Sequence, residues 1–174
     1  MGTVWGIAVG ERGDHLPIVN GRAPFPPKEG TEGLTVIGWP GAGDMRMWEN
    51  AYAGFFAAFQ KIYSDQGSKA AQRNAANQLW NFAFEVKEDD LVICPCSSEG
   101  YLLIGEVSGP YFANFDALPG KRGDFVHYRP VRWRYVIPRH DPRHSQLNRI
   151  GMSVVSKQQI AAEELQRIAN SVDA

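Results

Sequence analysis

The clearest pattern along the chain is a pair of apolar runs, Leu91-Val-Ile-Cys-Pro-Cys96 and Tyr101-Leu-Leu-Ile-Gly-Glu-Val107, separated by the polar stretch Ser97-Ser-Glu-Gly100. Short apolar runs bounded by Asp, Ser, Gly and Pro predict two buried strands in a hairpin, which leaves through Gly109-Pro110-Tyr111-Phe112. Residues 3–9, 34–39 and 125–137 predict three more strands, and 152–156 a short last one. In the third of these, Val131, Trp133 and Tyr135 alternate with Arg132 and Arg134, which predicts one apolar and one basic face. Pro130 within it predicts an edge position or a bulge.

Helical spacing replaces alternation over 45–63, where Met47, Ala51, Phe55, Ala58, Phe59 and Ile62 share a face and Asp44 is the expected N-cap. It recurs over 68–83, capped by Ser68, and over 157–171, with Ile160, Leu165 and Ile168 inward. Residues 10–33, interrupted by Pro24, Pro26 and Pro27, predict a long irregular connection. The pattern predicts an α+β fold: a small curved mixed sheet or pseudo-barrel of five to six strands with flanking helices. One domain spans 1–174, with its core at about 3–155 and a C-terminal helix at about 157–171.

Charge changes this picture more than length does. The net charge is −1, yet residues 121–149 hold eight Lys or Arg against two acids, and three of the four histidines. A basic block in an otherwise acidic chain predicts a face for a polyanion. Cys94 and Cys96 are too close along a strand for a good disulfide and too few for a zinc site, which predicts buried thiols in a reducing, cytoplasmic setting. No apolar stretch reaches membrane-spanning length, and the start Met1-Gly-Thr-Val-Trp5 has no signal-peptide pattern.

Motifs for catalysis are missing. No G-x-G-x-x-G follows a strand, Gly41-Ala-Gly43 falls short of a phosphate loop, and G-x-S-x-G does not occur. Asp141-Pro142 between His140 and His144 speaks against a helical metal pair, so neither cofactor nor metal is expected. The aromatics carry more. Trp39 ends a strand beside a Gly/Pro turn, Tyr111 and Phe112 lie just past another strand, and Phe115 follows three residues on. Aromatics at strand ends can form a box that stacks a flat base, worth about 1–3 kcal/mol per base.

Four segments then form a series: Val36-Ile-Gly-Trp-Pro-Gly-Ala-Gly-Asp44, Trp80 to Val92, Ile104 to Tyr111, and His127-Tyr-Arg-Pro-Val-Arg-Trp133 followed by Ile137-Pro-Arg139. The series resembles the N-terminal domains of Mrr-like and other modification-dependent restriction proteins, and so the PUA-like superfamily with its EVE and YTH domains. That resemblance covers residues 3–155. It implies a pseudo-barrel holding a modified base, flipped out of nucleic acid, in an aromatic cage. Gly38-Trp39 stands where YTH domains carry one cage tryptophan, and Tyr111, Phe112 or Phe115 where they carry a second aromatic. Pro40 replaces the Ser that follows the YTH tryptophan, and Ala8-Val9-Gly10 replaces a Lys-Ser-Asn-type strand end, so the base identity stays open.

The expectation is therefore a non-enzymatic reader of a methylated or hydroxymethylated base, in DNA, linked to restriction or defence. Trp39 would stack the base and Tyr111, Phe112 or Phe115 would face it. Asp44 would accept from an exocyclic amine, and Lys121, Arg122, Arg129, Arg132, Arg134 and Arg139 would hold phosphates. The restriction relatives continue into a nuclease or NTPase, which makes such an effector protein an expected partner; no membrane is expected. Two other classes stay open: a nucleotide-processing hydrolase using Asp89, Asp90 or His127, and a subunit that binds protein through its basic face.

Overall fold

The structure is a computed structural model and describes residues 2–8, 29–96, 100–116, 125–147, 150 and 153–172. Strand β1 (Val4–Ile7) is followed by β2 (Glu32–Ile37), 3₁₀ turns at Pro40–Ala42 and Met45–Trp48, and helices α1 (Tyr52–Ile62) and α2 (Lys69–Trp80). A π-helical turn (Asn81–Glu85) leads into β3 (Leu91–Cys96), β4 (Tyr101–Val107), β5 (Phe112–Ala113) and β6 (His127–Pro138). A 3₁₀ turn (Pro142–Leu147), β7 (Val155–Lys157) and α3 (Ala162–Val172) complete the order.

The strands form one curled, mixed half-barrel sheet in the order β2-β6-β4-β3-β1-β7, with β5 beside β6. Only β1 and β3 run parallel among the described pairs; the rest are antiparallel. The α+β class and the curved sheet read from the sequence are what the chain forms, and the β3–β4 hairpin has the expected ends.

Both faces of the sheet are covered, which explains the unbroken apolar runs. On one face Trp5, Ile7, Val92, Cys94, Leu103, Val131 and Trp133 pack against Phe55 and Phe59 of α1, Leu79 of α2 and Phe82. On the other, Val4, Leu91, Ile93, Leu102, Ile104 and Ile137 pack against Leu165 and Ala169 of α3. Cys94 and Cys96 are buried thiols, and burial pushes Cys94 up to about 12. No described helix is long and apolar enough to cross a membrane.

Strand β6 contains a bulge. Gly105 pairs with Trp133 and Ile104 with Tyr135, so Arg134 is an extra residue. Val131 and Trp133 therefore enter the first core, whereas Tyr135 packs against the second instead of continuing the same apolar face. The indole of Trp133 spans the neighbouring backbones. A Cβ at Gly33 would lie 2.2 Å from its Nε1, and one at Gly105 would lie 3.0 Å from its Cε3.

Several expectations need correction. Pro130 is not on an edge strand: β6 lies between β2 and β4, and Pro130 sits where its neighbour changes from β5 to β4. Asp44 caps only a 3₁₀ turn, and Asn50 in the left-handed region (φ 59°) delays α1 to Tyr52. Met47 and Ile62 are consequently exposed rather than inward. Ser68 caps α2 as expected, accepting from Ala71 N–H at 3.2 Å. The last helix starts at Ala162 because Val155–Lys157 form β7.

Gly33→Ala is expected to lower stability by about 1–3 kcal/mol, because Trp133 cannot stay over a backbone that carries a methyl. A denaturant melt of the variant checks this, and an unchanged midpoint would contradict the packing.

Candidate functional site

Two residues past the end of β2 the backbone is strained. Trp39 has φ 63° and ψ 54°, a left-handed conformation that bulky residues rarely take, and it opens the 3₁₀ turn at Pro40. Its carbonyl is held twice, by Ala42 N–H at 3.2 Å and by His127 Nε2 at 3.1 Å. A carbonyl only accepts, so the imidazole proton sits on Nε2 and leaves Nδ1 as an acceptor. Tyr111 Oη–H donates to that Nδ1 at 2.6 Å and accepts from Met45 N–H at 3.1 Å. One buried chain, Met45–Tyr111–His127–Trp39, thus joins the turn after β2 to β6 and to the exit of β4. Burial drives both titratable members toward neutrality: it lowers His127 and pushes Tyr111 up to about 12.

This chain changes what the predicted aromatics do. Tyr111 is buried (6% exposed), its ring between His127 and Phe82, so it supports the Trp39 turn rather than standing as an open wall. Phe112 is half-buried and stacks on Tyr128, 5.1 Å away and 11° from parallel. Trp39 is half-buried, packed edge-on to Phe59 at 6.4 Å. Phe115 is 53% exposed. Ile37 and Ala113 both pair with His127, from opposite sides, so Trp39 and Phe115 leave the sheet at the same end.

Asp44 lies beside this end with its carboxylate already engaged. Arg46 donates to it through its backbone N–H at 3.0 Å and through its side chain, with an ion pair at 2.5 Å. The Arg46 guanidinium holds Asp44 below the usual carboxylate range. Any exocyclic amine would have to displace Arg46.

The basic face is not a bare row of cations. Arg132 faces Glu32 on β2 and Glu106 on β4 across the sheet, pairing with Glu32 at 2.8 Å, while the bulged Arg134 pairs with Glu106 at 3.1 Å. Arg139 donates to Ile150 O at 2.9 Å. Arg129 is not on the exposed basic face where the sequence placed it. It is 5% exposed and donates to the carbonyls of Phe82 (3.1 Å), Ala83 (2.9 Å), Val86 and Gly109 (3.4 Å). Lys121 and Arg122 lie outside the described residues.

Asp90 is a structural acid. It is buried and accepts from Thr3 N–H at 2.8 Å, Trp5 Nε1–H at 2.9 Å and Lys87 N–H at 2.9 Å. Asp89 is an exposed turn residue with φ 69°. His127 is hydrogen-bonded at both nitrogens, to Tyr111 and to the Trp39 carbonyl.

Sequence reasoning missed a cavity of about 350 Å³ beside Tyr111, lined also by Arg46, Phe84, Lys87, Pro110 and Arg129. Its walls come from the 45–49 turn, the π-helical turn with the residues just after it, the β4 exit and β6, four segments that no motif connects. Only the Gly109-Pro110-Tyr111-Phe112 exit could have pointed to it.

His127 generates a pH effect of definite sign. Its folded pKa lies below the unfolded value of 6.5, so the stability from burying it neutral is present above that value. That stability is lost as pH falls toward the folded pKa, where the unfolded chain takes up a proton that folded His127 refuses. A plot of unfolding free energy against pH should therefore slope downward below about pH 6.5, and His127→Gln should flatten that part of the slope.

No curated protein and no solved structure matches the chain. One family model matches residues 28–156, which include β2 to β6, both helices that cover the first core, and the whole Trp39–Tyr111–His127 chain. The chain belongs to the family described as "Domain of unknown function (DUF8426)".

Proposed function

We propose that this protein is a non-catalytic binding module that reads a modified base of nucleic acid, with DNA as the target and restriction or defence as the setting. The observation that carries the reading is Trp39. A tryptophan in a left-handed turn at a strand end costs about 1–3 kcal/mol of backbone strain, and such strain clusters at binding and catalytic sites. Here the strain is maintained by a hydrogen-bonded histidine and tyrosine, so the ring's position is preorganised. The resemblance to PUA-like, EVE and YTH domains supports the same residue.

In this reading the flipped base stacks on Trp39, and Phe115 is the facing wall. Tyr111 and Phe112 act as scaffold. Opening the pair and extracting the base costs a few kcal/mol, offset by stacking and by contacts to the base edge. A nuclease or NTPase acting on the bound DNA would be a separate effector.

Fluorescence anisotropy on short duplexes carrying 5-methylcytosine, 5-hydroxymethylcytosine, N6-methyladenine or no modification tests the proposal. One modified duplex should bind at least about tenfold more tightly than plain DNA, and Trp39→Ala should remove that preference, a loss of about 1–3 kcal/mol. Phe115→Ala should reduce the preference without changing the melting temperature. Equal binding of all four duplexes by the intact protein would sink the idea.

A further inference from the structure

Arg129 carries a full positive charge into the interior with no carboxylate of the described residues beside it. Its guanidinium bonds only to main-chain carbonyls, and among the described residues no acid comes within ion-pair distance; Asp90 and Glu88 act on it through space alone. The carbonyls of a helix end satisfy its hydrogen bonds but offer only about half a unit of opposing charge. Buried charges ordinarily have a partner. Nη1 is the least engaged nitrogen, with a single long bond to Gly109 O, and Arg129 forms part of the wall of the 350 Å³ cavity. Arg46 and Lys87 line the same cavity, and Asp44 takes only the Nε and Nη2 groups of Arg46.

We infer that this cavity is an oxyanion site that takes a phosphate group, with Arg129 Nη1 at its base and Arg46 and Lys87 at its mouth. Glu49 and Glu88, exposed on the rim, oppose a highly charged ligand and tune the site toward a single phosphate rather than a polyphosphate. Tyr111 is a wall of the cavity and also the hydrogen-bond partner of the histidine that holds Trp39. The phosphate next to a base stacked on Trp39 is therefore the natural occupant. That assignment of the occupant rests on the base-reading proposal, whereas the anion chemistry does not.

Replacing Arg129 would remove main-chain bonds as well as charge, so the test keeps it and observes it. Inorganic phosphate titrated into the wild-type protein should shift the Arg129 Nε–Hε NMR resonance saturably. Arg46→Ala combined with Lys87→Ala should weaken that binding about tenfold, Glu88→Gln should tighten it, and Trp39→Ala should leave it unchanged. Dinucleotides with and without a 5′-phosphate identify the source. A gain from the 5′-phosphate assigns a terminal monoester, and equal binding of the two assigns the internal diester. Absence of a saturable shift, or an unchanged affinity in the double variant, overturns the site. Phosphate binding that persists while all duplexes bind alike would reject the base reader and leave the anion site standing.

Discussion

The guanidinium of Arg129 is the constraint on which the architecture depends. It reaches from near the start of β6 to the carbonyls of the π-helical turn and its cap and to Gly109 at the exit of β4. Helix end, sheet and loop are thereby held by one side chain. Burial lowers its pKa to about 10, which still leaves it protonated at neutral pH. Several buried carbonyls would lose their donors without it, at about 1–3 kcal/mol each. Asp90 does the complementary work from the acidic side, gathering N–H groups from β1 and from the turn before β3. Both are charged side chains used as fasteners of backbone.

How much was legible in the sequence follows from the range of the interactions involved. The hairpin could be read to the residue because local apolar runs and a polar turn are enough to specify it. Trp39 could be singled out because glycine and proline bracket it. The basic strand misled because the acids that pair with Arg132 and Arg134 come from β2 and β4, and their alignment exists only after the sheet has formed. Tyr111 looked like an open wall for a similar reason. Its hydroxyl partners, Met45 and His127, lie 66 and 16 residues away, and nothing local predicts that the ring turns inward to meet them. Asn50 shows the opposite case, a local backbone conformation overriding a helical pattern that otherwise ran unbroken.

The site inherits its character from these long-range bonds. Trp39 does not hold its own backbone; a neutral histidine does, its tautomer set by the Trp39 carbonyl and its other nitrogen held by a neutral tyrosine. The geometry of an aromatic surface at the end of the half-barrel is thus coupled to the protonation of a residue that no ligand need touch.

The bulge at Arg134 carries one more implication. Without the extra residue, one strand could serve one face and the two apolar layers would be separable. With it, Val131 and Trp133 face the layer under α1 and α2, Tyr135 and Ile137 face the layer under α3, and Val136 between them returns to the first layer. A slip of β6 by one position would expose apolar groups in both layers at once, so the inserted arginine acts as a registration pin. It also makes the molecule a single cooperative unit, in which loss of either helical cover is felt through one strand by the other.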